Sequence, residues 1–228
     1  MRLYESKKLH YGKYFYKLAI VNRCANYFRT EFQPNGDLKY CQKRLDELQN
    51  NYRTNKNYIE LPISGRWKDQ IPVDHFYDAI YIYRHLKRHT DYKVRCEVNV
   101  LHLYSNDRKM LIDLGNKLQQ KYIEFWEPDP ANIDLLQNNS NVIITNKQPQ
   151  YEYKITLGGK KGNPSLASWI MANPKLAKMG DTALHACEHN GYVKGYYFFI
   201  RDSKALVFAQ LLVGDNIQRI DKIVYVPT

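Results

Sequence analysis

The chain has 228 residues, 44% hydrophobic and 25% charged, and its formal net charge is +11. That length suits one large domain or two small ones, and the apolar content excludes a disordered chain. With 34 Lys and Arg against 23 Asp and Glu, the long-range field attracts polyanions, and no window approaches the roughly 18 apolar residues that span a bilayer.

Residues 1–13 are basic and polar, without an apolar core of signal-peptide length. The first strand read from the pattern is Tyr14–Val21. A short helix over 22–32 follows, with Cys24, Tyr27 and Phe28 on one side. Pro34-Asn-Gly-Asp37 is a turn, and Asp37 can cap a helix through about Tyr52. Leu38, Cys41, Leu45 and Leu48 form its apolar stripe. Tyr58–Ile63 reads as an edge strand because Pro62 cannot donate to a ladder. Ser64–Asp69 reads as a loop in which Arg66 and Lys68 flank Trp67.

A helix is expected from about His75 to His89, its last turn carrying Arg84, Lys87 and Arg88. Cations there also suit the negative end of the helix dipole. Tyr92–Tyr104 is extended, and Ser105-Asn-Asp107 caps a helix with Met110, Leu111, Leu114 and Leu118. Tyr122–Trp126 is a strand, 133–136 a short helix and Val142–Thr145 another strand. Asn146–Gln150 is the expected linker between an N-terminal domain, 1–145, and a C-terminal one, 151–228.

Past the linker, Tyr151–Leu157 is a strand and Gly158-Gly-Lys160-Lys161-Gly162 a flexible basic loop. Asn163 caps a helix with Pro164 at its first position. Asp181 opens another, ending near His189. The chain closes on a β-α-β run from Tyr192 to Val226, its helix capped by Asp202 or Ser203 and ended at Gly214.

Part of this order repeats. Tyr14-x-Tyr16-Lys17-Leu18 matches Tyr151-x-Tyr153-Lys154-Ile155. Leu101 to Asp107, its helix and Ile123-x-Phe125 parallel Tyr197 to Ser203, its helix and Ile223-x-Tyr225. The expectation is an α+β protein of two small β-α-β layers, an imperfect tandem duplication whose order resembles ferredoxin-like or RNA-recognition-motif architecture. The glycine-aromatic RNP1 segment of a true RNA-recognition motif is absent, and no family is identified.

Twenty tyrosines supply flat rings for stacking and hydroxyls for phosphate. Tyr, Asn, Lys and Ile also have AT-rich codons, so the excess equally fits a biased genome such as a phage's. The four cysteines show no C-x-x-C spacing, which reads as reduced thiols in the cytoplasm, the host's if the protein is viral. His85 with His89, and His185 with His189, each share a helix face, but no third ligand stands out, so no metal or cofactor is expected.

The function these features point to is binding of RNA or single-stranded DNA. The candidate contacts are Tyr14, Tyr16, Lys17, Arg66, Trp67, Lys68, Arg84, Lys87, Arg88, Tyr151, Tyr153, Lys154, Lys160, Lys161, Tyr196 and Arg201. The alternatives are a nuclease using a histidine such as His10 or His102, and a viral assembly component with a protein partner or a second copy of itself. No catalytic residue is assigned.

Overall fold

The computed structural model describes residues 1–29, 38–55, 59–63 and 67–227, with the backbone alone over 55–70. Two compact units divide the chain, Met1–Ala131 and Asn132–Thr228.

The first unit runs β1 (Arg2–Glu5), β2 (Tyr16–Val21), α1 (Leu38–Asn55), β3 (Ile59–Ile63), β4 (Trp67–Ile71), α2 (Val73–Leu86), β5 (Tyr92–Glu97), β6 (Val100–Ser105), α3 (Arg108–Lys117) and β7 (Ile123–Glu127). Its sheet has the order β1-β7-β2-β6-β5, antiparallel except that β1 lies parallel to β7. The second runs α4 (Ile133–Asn138), β8 (Val142–Thr145), β9 (Tyr153–Leu157), α5 (Pro164–Ala172), β10 (Ala177–Met179), α6 (Asp181–Glu188), β11 (Tyr197–Ile200), α7 (Ser203–Val213) and β12 (Ile217–Tyr225). Its order is β10-β11-β9-β12-β8, antiparallel except that β8 lies parallel to β12.

These are one topology used twice. In each sheet the first, second, third and last strands of a βαββαβ run are β2, β5, β6, β7 or β9, β10, β11, β12. Each set lies in the spatial order last-first-third-second, the split-βαβ arrangement of ferredoxin-like folds. Each adds one preceding strand, β1 or β8, parallel to the last. The α+β expectation and the duplication therefore hold. The insertions differ: the first unit carries α1, the β3-β4 hairpin and α2 between its first and second strands, where the second has α5 alone, and the second unit inserts α6 between its second and third strands, where the first has a tight turn with Val98 at φ 52°.

Strand pairing corrects the register of the repeat. Leu18 pairs with Leu103 and Phe125, and Ile155 pairs with Phe198 and Ile220. Leu103 thus matches Phe198 and Phe125 matches Ile220, not the residues that the sequence comparison set side by side. The helix caps agree with this offset. Asp107 accepts from the Met110 N–H and Asp202 from the Ala205 N–H, both at 2.9 Å.

Alternation builds each core. Leu18, Ile20, Leu101, Leu103, Ile123 and Phe125 face α1, α2 and α3, which return Leu45, Leu48, Ile82, Leu86, Leu111 and Leu114. In the second unit Ile155, Leu157, Phe198 and Ile200 meet Leu166, Ile170, Cys187, Ala209 and Val213. Buried Asp78 in α2 is satisfied locally, accepting from the Gln119 and Gln120 N–H groups at 3.0 and 3.1 Å.

Several boundaries move. The linker expected at 146–150 lies inside the second unit, because β8 pairs with β12. Trp67, Lys68 and Asp69 are strand rather than loop, since β4 pairs antiparallel with β3. β1 and β10 were not visible in the pattern. Among the described residues, the short helix expected over 22–32 is a 3-10 turn at Ala25–Phe28, and residues 30–32 lie outside them. Arg66 and the turn at 34–37 lie outside the described residues. The four cysteines form no disulfide, and among the described residues no helix is long and apolar enough to cross a membrane.

Candidate nucleic-acid interface

The helices of each unit cover one sheet face, so the other face is set by the alternate positions. In the first unit those are Lys17 and Ala19 on β2, His102 and Tyr104 on β6, Glu124 and Trp126 on β7, and Lys93, Arg95 and Glu97 on β5. The Lys17 ammonium sits 4.0 Å from the Trp126 ring centroid. Tyr4 of β1 stacks on the opposite edge of this group, 4.9 Å from Trp126 with the planes 19° apart. A pocket of about 430 Å³ opens here between Arg2, Lys17, Glu97, His102, Glu124 and Trp126.

His102 is buried and its Nε2 lies 3.4 Å from a Glu97 oxygen, while its buried Nδ1 has no partner. Burial holds this imidazole below its ordinary range, and Lys17 adds to the effect. His10 is pushed down to about 4 by burial, then by Lys17 and Lys8, and its Nε2 is 3.1 Å from Ser6 Oγ. Both rings are therefore neutral near pH 7. Tyr11 packs edge-on against Tyr104 at 4.9 Å with the Lys93 ammonium 4.7 Å from its own ring. Burial lowers Lys17 as well, against the pull of Glu124 and Glu97.

The second unit carries the same idea in simpler form. Lys154 pairs with Phe199 as Lys17 pairs with Tyr104, and Thr156 pairs with Tyr197 as Ala19 pairs with His102. The Lys154 ammonium is 3.7 Å from the Tyr197 centroid, Tyr197 and Phe199 meet edge-on at 5.6 Å, and Tyr151 borders Phe199 at 6.1 Å. Tyr197 is 46% exposed. A pocket of about 360 Å³ lies between Lys178, Tyr196, Tyr197, Phe199 and the start of α6. The position of Trp126 is taken by Asp221, which is buried and ion-paired with Arg219.

This placement re-sorts the residues singled out from the sequence. Lys17, Lys154 and Tyr151 join the open faces. Tyr16 turns to the helix side and stacks on Phe125, Tyr153 packs on the second core, and Tyr14 is buried beside His10. The reason is the period of two: where the lysine faces out, its tyrosine neighbour faces in. Arg84, Lys87 and Arg88 are exposed but end α2, on the covered side of the sheet. Tyr196 packs on the second core and reaches the rim of its pocket. Arg201 borders a separate shallow pocket with Glu152, Lys175 and Asp202. Trp67 and Lys68 lie on β4, with side chains outside the description.

The basic loop after β9 is braced rather than open. Gly158 N–H donates to the Asn216 carbonyl at 2.7 Å, Lys160 N–H to Asn216 Oδ1 at 3.0 Å, and Gly162 N–H to the Gly191 carbonyl at 2.8 Å. Those donors are engaged within the protein, and Lys160 also pairs with Asp215. Gly162 answers to packing: a Cβ there would stand 2.5 Å from Cys187 Cα. What the loop offers an anion is its lysine side chains.

His102, Tyr104, Trp126, Tyr197 and Phe199 were missed as a set. The signal was the alternation itself, read outward from the lysine instead of the tyrosine. Compared with protein-family models, with curated proteins and with solved structures, the chain matches none.

Proposed function

We propose that this protein binds single-stranded nucleic acid, RNA or DNA, on the helix-free faces of its two ferredoxin-like sheets. One observation carries the reading. On the helix-free face of each unit a central-strand lysine at equivalent register lies over an aromatic ring, Lys17 over Trp126 and Lys154 over Tyr197, although the two rings stand on non-equivalent strands of their sheets. Bases stack on such rings whatever their sequence, while the ammonium reaches the adjacent phosphate. The net charge of +11 supplies the long-range attraction.

Fluorescence anisotropy with labelled single-stranded RNA, single-stranded DNA and duplex tests this across a salt series. The expected result is tighter binding of single strands, weakening log-linearly with salt by about 0.7 per phosphate contacted. Absence of binding, or affinity indifferent to salt, would sink it.

A second reading, strand cleavage, is favoured by one arrangement: a neutral His102 beside Glu97, near Lys17. A neutral imidazole can take a proton from a nucleophile while a nearby ammonium stabilises phosphorane charge. Labelled RNA that stays intact with the wild type, or is cut equally well by His102→Ala, removes this reading.

A further inference from the structure

We propose that the end of α6 is a surface site for a late first-row divalent cation such as Zn²⁺, with His185, Glu188 and His189 as its ligands. The three fall on one helix face, because positions three and four apart are neighbours across a turn. One ligand atom from each lies within 4.8 Å of the others, and the two imidazole centroids are 4.1 Å apart. A tetrahedral ion with ligands about 2.0–2.1 Å away sets them about 3.3 Å from one another. All three side chains are exposed, so small rotations about their own bonds close that difference.

His189 is oriented for this role. Its Nδ1 lies 3.0 Å from the His185 carbonyl oxygen, so Nδ1–H donates there and Nε2 keeps its lone pair outward. A backbone carbonyl behind the ring is a common outer partner of a metal-bound imidazole. Two imidazoles and a carboxylate select Zn²⁺, Ni²⁺ or Cu²⁺ over Mg²⁺ and Ca²⁺, and three protein ligands leave a position for water or an anion.

The other histidine pair makes the comparison. His85 Nε2 lies 3.1 Å from the Met110 carbonyl, where it donates rather than ligates. Burial and His89 hold His85 below its ordinary range, and among the described residues no third ligand joins the pair. The pairs look alike in sequence, and only the second gains Glu188. Read as a helix face instead of a spacing rule, His-x-x-Glu-His would have shown the third ligand.

The test is calorimetric titration of the full chain, without a polyhistidine tag, with ZnCl₂, and the absorption of Co²⁺ as a second readout. One equivalent should bind. His185→Ala and His189→Ala should each weaken it by about tenfold or more, and the double variant His85→Ala/His89→Ala should leave it unchanged. Far-UV circular dichroism checks that each variant keeps the fold. No zinc binding by the wild type, zinc binding that persists in His185→Ala/His189→Ala, or binding lost in the His85/His89 variant overturns the proposal. The result does not depend on whether nucleic acid binds.

Discussion

The Lys154 ammonium rests 3.7 Å from the ring centroid of Tyr197, on a face that no helix covers. A cation so placed polarises the ring and offers a charge beside a stacking surface. Replacing Tyr197 by Ala should therefore weaken single-strand binding by about 1–3 kcal/mol, roughly 5- to 150-fold, and Phe199→Ala by a similar amount. Lys154→Gln should lower the salt slope by about 0.7. Tyr16→Phe, on the covered side, should change neither. Anisotropy titrations at three salt concentrations measure all four.

Acid should loosen the first unit through His10. Its folded-state value is about 4 against 6.5 for the free side chain. Above pH 6.5 both folded and unfolded chains hold it neutral, so its contribution is fully present. As pH falls from 6.5 towards 4 only the unfolded chain takes the proton, and stability drops by up to about 3 kcal/mol. Thermal melts at pH 7.5 and 5 should show a smaller difference in His10→Asn than in the wild type.

Two glycines of one loop should respond differently. Gly162→Ala drives a Cβ to 2.5 Å from Cys187 Cα and 2.8 Å from the Ala186 oxygen, both backbone, which cannot swing aside. A cost of about 1–3 kcal/mol or more is expected. Gly159→Ala meets only the Lys194 side chain, at 4.0 Å, and should be close to neutral. Urea unfolding of the two variants distinguishes them.

The matched caps give a test of the duplication's energetics. Asp107→Ala and Asp202→Ala should each cost about 1 kcal/mol in urea unfolding, and Asp→Asn at either position should recover most of it.

The fold was legible where local chemistry decides it. Asp107, Asn163 with Pro164, and Asp202 each start a helix as their side chains dictate. Leu18, Ile155 and their neighbours declared strands by apolar alternation. The short strands β1 and β10 were hidden, because four or three residues carry too little pattern and their pairing partners lie far along the chain. The candidate face was half legible: Lys17 and Lys154 were singled out, but the facing of Tyr16 and Tyr153 depends on which side the helices pack. His102 and Trp126 gain their meaning from cross-strand neighbours, which no sequence window contains.

The preceding strand of each unit has a consequence for biosynthesis. Arg2–Glu5 pairs with 124–127, and Val142–Thr145 with 222–225. A nascent chain leaving the ribosome therefore holds its opening strand unpaired until the closing one emerges. Completion of each sheet waits on a loop that spans nearly the whole unit, which slows folding.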